Sequence, residues 1–172
     1  MGPLSRSVLS LALALSSAIA SPHHDVAAAA AAGPANWTWP VVGPVINAYD
    51  PPDTPFGAGH RGIDIAVPFG TTIVAPEAAT VSFAGPVGGR LFVTLDHGGG
   101  LESTYSWVSA ILVHKRDVVA RGQPIAISGT GHPGSSVPHL HLGVKLADVY
   151  QDPMDYLGSI SASSFIRLAP IR

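Results

Sequence analysis

From Gly57 onward the chain is broken again and again by Gly, Pro and Asp, with 101–116 the longest unbroken run, and it reads as turn, strand, turn at short intervals rather than as amphipathic helices. Helices of globular domains usually run for roughly 8–20 residues with an apolar period of 3.6. The punctuation therefore restricts this part of the chain to strands and turns. The predicted strands are 63–67, 71–74, 80–84, 91–95, 102–107, 124–128 and 139–145. Between two of them, Asp96-His97-Gly98-Gly99-Gly100 has the make-up of a hairpin turn with left-handed backbone positions. The expectation is an all-β, compact, two-layer antiparallel β-sheet domain. A single turn at 153–157 is the helical candidate. Composition agrees, since 19 Gly and 16 Pro against 12% charged residues suit short strands joined by turns.

A length of 172 residues with 47% hydrophobic content supports one ordinary domain with extensions. Residues 1–20 have the layout of a secretory signal peptide: Arg6, an apolar run from Val8 to about Ala20, and the small-x-small site Ala18-Ile19-Ala20 before Ser21. That run falls short of the roughly 20 apolar residues of a membrane span and contains serines, so export is expected, with no membrane attachment after cleavage. No cysteine follows it, so a lipid anchor is not expected, and the fold has to hold without disulfides in an oxidising compartment. Residues 21–40 are assigned to a flexible linker whose His23-His24 pair is solvated. Within 36–45, alternating large and small residues predict an extended strand that lays Trp37 and Trp39 along one face and seals a domain edge. The domain is placed at 41–158 and a loosely held tail at 159–172. A net charge of -2 without Lys/Arg clusters gives no electrostatic footprint for nucleic acid or an anionic membrane.

Chemistry concentrates in two places. In Val137-Pro138-His139-Leu140-His141-Leu142 two imidazoles stand two residues apart in a strand-like run, so both point to one face. In Gly59-His60-Arg61-Gly62-Ile63-Asp64, an imidazole and a carboxylate are four residues apart, with Gly62 permitting a tight bend. Adding one histidine of the strand to His60 and Asp64 gives two His and one Asp, three protein ligands that leave a fourth position open, as in a catalytic zinc site. Zinc in such a site activates water and polarises a carbonyl, and the remaining histidine serves as base.

His60-x-x-x-Asp64 with His139-x-His141, and Gly62-Ile63-Asp64-Ile65-Ala66-x-Pro68-x-Gly70-Thr71 following the first ligand, resembles the lysostaphin-type zinc peptidases that cut peptide cross-links of bacterial cell walls. The similarity continues through Asp96-His97-Gly98, Gly122-Gln123-Pro124-Ile125 and Asp152-Pro153. The resemblance implies a β fold of the duplicated-hybrid-motif type with a long substrate groove. It further implies Zn²⁺ held by His60, Asp64 and His141, with His139 as general base. The substrates implied are peptidoglycan stem or cross-link peptides, met by a monomer that is secreted, extracellular or cell-wall associated.

This chain departs from the family pattern at one position. The family's Tyr-x-His-Leu segment carries a second catalytic histidine, and the matching segment is Tyr105-Ser106-Trp107-Val108. Trp107 offers one N–H but holds no charge. Losing an oxyanion donor typically costs about 10² to 10³ in turnover, which predicts a slower or differently organised enzyme. Tyr105, Trp107 and His132 are the candidates for substrate or oxyanion contacts, His132 because its Gly-rich loop directly precedes the His139 strand. His97 and His114 are expected at the surface without a task. The alternative from another functional class is a weak or inactive zinc-binding module that binds wall peptides or activates another hydrolase.

Overall fold

The computed structural model describes residues 36–54 and 57–159, and apart from these Gly2. The signal peptide expected at 1–20, except Gly2, the linker from 21 to 35 and the tail from 160 onward lie outside the described residues.

Eleven strands follow one another among the described residues: Val45–Asn47 (β1), Ile63–Ala66 (β2), Thr72–Val74 (β3), Ala79–Val87 (β4), Arg90–Asp96 (β5), Leu101–Val108 (β6), Ala110–Ile111 (β7), Val118–Val119 (β8), Pro124–Ile127 (β9), His139–Leu146 (β10) and Val149–Gln151 (β11). A single 3₁₀ turn, Pro153–Asp155, is started by the Asp152 carboxylate accepting from Met154 N–H. The larger sheet has the order β1-β2-β10-β6-β5-β4-β8, with β11 added alongside β10. The smaller has the order β3-β9-β7, and every strand pair is antiparallel. Each predicted strand is present within a few residues. The hairpin between β5 and β6 has Gly98, Gly99 and Gly100 at φ 83°, 62° and 80°, the left-handed positions its glycines predicted.

The core lies between the two sheets. Ile73 and Ile125 of the small sheet and Ile63, Ile65, Leu95, Leu140 and Leu142 of the large one belong to one buried cluster. Strand alternation sends Leu140 and Leu142 into it and turns His139 and His141 to the opposite face. Burial of each such side chain contributes about 1.5–3 kcal/mol, enough to fix the register that puts His141 opposite Asp64.

Residues 36–40 are not linker. Trp37 is 3% exposed, bridges to Leu157, exchanges backbone hydrogen bonds with Tyr156 and Gly158 at 2.9 Å each, and packs against Tyr156 and His97. Trp39 donates its indole N–H to the Gly158 carbonyl at 2.7 Å. The expected strand over 36–45 is reduced to this clasp and to β1. His97 also departs from expectation. Its ring packs on Trp37 and its Nε2 is 2.8 Å from Ser103 Oγ, which is 2.9 Å from the buried Tyr105 hydroxyl. Burial pushes the His97 imidazole down to about 4, against smaller upward pulls from the Ala78 backbone and Asp96.

Candidate functional site

His60 stands just ahead of β2, held by an antiparallel bridge to Asp50. Its Nδ1 is 2.7 Å from the Ala48 carbonyl, so Nδ1 carries the donated proton and a neutral ring leaves Nε2 bare. Asp64 follows in β2 and His141 faces it from β10. Gly62 lies between, at an ordinary φ rather than a left-handed one. A Cβ there would strike the Leu142 carbonyl and lie 2.9 Å from His141 Nε2. Glycine is required because β10 comes so close, not because the chain bends.

His60 Nε2, Asp64 Oδ1 and His141 Nδ1 form a triangle with edges of 3.1, 3.1 and 2.9 Å. Asp64 is 2% exposed. Burial pushes its carboxyl up, but hydrogen bonds to His141 and His132 and the proximity of His60 outweigh this and hold it well below the usual carboxylate range. A neutral His141 can bring only one proton into the triangle, which leaves His60 Nε2 facing other lone pairs. A cation resolves that conflict. Arms of 2.0–2.1 Å give a tetrahedral edge of about 3.3 Å, close to the observed spacing, so this borderline His/Asp donor set fits a zinc-like ion.

His139 is fully buried under the 129–135 loop. Its Nδ1 donates to the Val137 carbonyl at 2.8 Å, and its Nε2 is 3.8 Å from Asp64 Oδ1 and accepts the His132 backbone N–H at 3.3 Å. Gly131, at φ 84°, passes directly over the ring, where a Cβ would collide with three of its atoms. His132 brings its own Nε2 to 2.9 Å from Asp64 Oδ2, with Nδ1 3.1 Å from the Pro133 carbonyl. Burial lowers its basicity, yet the Pro133 carbonyl and Asp64 raise it above the ordinary histidine value. Four donor atoms, from His60, Asp64, His132 and His141, thus lie within 4.8 Å of one another.

His60, His132 and His141 line a groove of about 810 Å³, together with Ser106, Thr104 and Gly143 among others, while Asp64 and His139 are buried behind them. Trp107 stands on its wall, and the reason is a β-bulge. Leu91 pairs with Val108 while Phe92 pairs with Ser106, so Trp107 is extra, at φ 64°. The bulge turns its indole into the groove, where Arg90 lies 5.2 Å over the ring and His132 meets it edge-on at 6.3 Å. Tyr105 ends on the other side. It is fully buried with its hydroxyl on Ser103, so the structure takes it out of reach of a ligand in the groove. Of the sequence candidates, His60, Asp64, His132, His139 and His141 converge, Trp107 lies beside them, and Tyr105 does not join them.

Two contributors were not foreseen. Asn47 of β1 donates to Asp64 Oδ2 at 3.3 Å, and the Ala48 carbonyl orients His60. Both are delivered by the β1–β2 pairing, with Asn47 opposite Asp64, and no local motif marks them.

A family model described as Peptidase family M23 matches residues 58–153. An uncharacterized protein of Mycobacterium tuberculosis (strain ATCC 25618 / H37Rv) is 35% identical over 175 aligned residues, 98% of this chain and 65% of its own length. The murein hydrolase activator NlpD of Escherichia coli (strain K12) is 30% identical over 123 residues, 70% of this chain and 31% of its own. The chain therefore spans less than two thirds of these relatives. A zinc containing peptidase from Vibrio cholerae shares the fold with a TM-score of 0.60 at 25% identity, covering 69% of this chain and 39% of that one. For the catalytic domain of the antimicrobial peptidase lysostaphin from Staphylococcus simulans the TM-score is 0.54 at 27% identity, covering 63% and 87%.

Proposed function

The chain belongs to peptidase family M23, and from that premise we propose that it is a secreted zinc metalloendopeptidase that hydrolyses peptide bonds in bacterial cell-wall peptidoglycan. The observation that carries this reading is the triangle of His60 Nε2, Asp64 Oδ1 and His141 Nδ1, two imidazole nitrogens and a carboxylate oxygen spaced for a cation beside a peptide-sized groove. Export is supported by the leader-like residues 1–20.

In this reading His60, Asp64 and His141 hold the zinc. Zinc bound there supplies Lewis-acid polarisation of the scissile carbonyl and a water acidified to near neutrality. The protein's own residues do the rest. His139, with Nδ1–H fixed on the Val137 carbonyl, would use Nε2, once the His132 N–H that it accepts here is displaced, to take a proton from the attacking water and return it to the leaving amine as the C–N bond breaks. The Ala48 carbonyl and Asn47 amide hold His60 and Asp64 in orientation. Gly143, without a side chain, and the hydroxyls of Thr104 and Ser106 leave room on the groove floor for an extended peptide.

Trp107 favours a second reading, in which the domain binds zinc and wall peptides but cleaves slowly or serves as an activator, as the name of the E. coli relative suggests for that protein. Zymography on purified peptidoglycan, with metal analysis of the same sample, separates the two. Zinc-loaded wild type that clears the wall, with His139→Ala inactive yet still loaded, supports the enzyme. Stoichiometric zinc without clearing by the wild type supports the second reading.

A further inference from the structure

The 129–135 loop brings His132 to the metal-binding triangle from above, and its ring repeats the arrangement of His60. In both, Nδ1 lies on a backbone carbonyl, Ala48 for His60 and Pro133 for His132, and Nε2 is aimed at the Asp64 carboxylate. A metal-ligating histidine almost always donates its other ring N–H to such a group, which sets the tautomer and leaves the ligating nitrogen bare. The 2.9 Å contact between His132 Nε2 and Asp64 Oδ2 can be filled by a proton or by a shared cation, and it is the gathering of this nitrogen with the donor atoms of His60, Asp64 and His141 within 4.8 Å that points to the cation.

The same residue reaches the site a second way. Its backbone N–H sits on His139 Nε2 at 3.3 Å, the lone pair the base would use. Gly131 allows this approach, since any Cβ there would occupy the space of the His139 ring. One residue therefore meets both halves of the machinery.

We propose that His132 is a fourth protein ligand of the metal, so that the resting centre is a closed three-histidine, one-aspartate site from which the 129–135 loop must withdraw before water or a substrate carbonyl can enter the fourth position. This rests on zinc binding at His60, Asp64 and His141. It differs from an oxyanion-donor role for His132, because a ligand is felt by the metal when no substrate is present.

The test compares wild type with His132→Ala and with His132→Phe, which keeps a ring in the loop and removes only its nitrogens. Zinc affinity is measured by competition with a chromophoric chelator, and the cobalt-substituted proteins are titrated with azide while visible absorption is followed. Outer-shell partners alone are worth about 10–100-fold in metal affinity, so loss of a ligand is expected to weaken zinc binding at least about tenfold in both variants. Azide is expected to alter the cobalt spectra of the variants and leave that of the wild type unchanged. An azide response in the wild type equal to that of the variants overturns the proposal and leaves the three-ligand reading standing, as does equal zinc affinity. A wild type that binds no zinc overturns both.

Discussion

His60 Nε2 and His141 Nδ1 lie 3.1 Å apart although they belong to residues 81 positions apart in the chain. Two imidazole nitrogens that share one carboxylate oxygen at this spacing are a site prepared for a cation. Zinc binding is therefore expected to stabilise the fold by about 2.7 kcal/mol at a free concentration of 100 times Kd. Thermal melts with and without zinc, and after chelation, read this directly. His141→Ala is expected to lose the zinc-dependent shift, and a full shift in that variant would sink the assignment.

Trp107 occupies a bulge with a left-handed backbone, aimed into the groove. In the peptidase reading, a histidine in the same place would add the family's oxyanion donor. Trp107→His is expected to raise kcat on peptidoglycan fragments by up to about 10² to 10³, the usual worth of one such donor. No gain, with zinc still bound, would mean that the site is organised around a different donor.

Gly62 is required by the nearness of β10. In Gly62→Ala the new methyl meets the Leu142 carbonyl, a backbone atom that cannot turn aside. Overpacking of this kind costs about 1–3 kcal/mol. Urea denaturation should show that loss, together with weaker zinc binding as His141 is displaced. An unchanged midpoint would contradict the close strand approach.

His97 gives acid sensitivity away from the His60, Asp64 and His141 triangle. Its imidazole is lowered to about 4 by burial, so the folded protein binds fewer protons than the unfolded chain between that value and about 6.5. The contribution of neutral His97 is whole above pH 6.5 and declines as pH falls toward 4, at ~1.4 kcal/mol per pH unit. Urea melts of metal-free protein across this range should show a steeper acid loss in wild type than in His97→Gln. Parallel curves would refute the assignment.

The strands and the β5–β6 hairpin were legible because Gly, Pro and alternation are local signals. The His60/Asp64 and His139/His141 pairs were each legible for the same reason, since spacings of two and four residues decide which side chains share a face, and it was the family resemblance that joined the two pairs into one site. What was not legible depends on how distant segments lie against one another. Asn47 and the Ala48 carbonyl reach the site through the β1–β2 register, and although the place of the His132 loop before β10 made that residue a candidate, its contact with Asp64 itself was not legible. Tyr105 and Trp107 are two apart and would share a face in a regular strand, yet the bulge sends one to the core and the other to the groove. His97 reads as a turn residue until Trp37, sixty positions earlier, is found packed on it.

The Trp37–Leu157 bridge joins the first and last described parts of the domain in parallel. Tension applied through both ends would pull the two segments past each other, loading their paired backbone bonds at 2.9 Å together with the Trp39 bond to Gly158, whereas an antiparallel closure would peel open one bond at a time. A domain tethered at one end and dragged at the other would thus meet the load at this clasp, in shear, before it reached the strands that carry His60, Asp64 and His141.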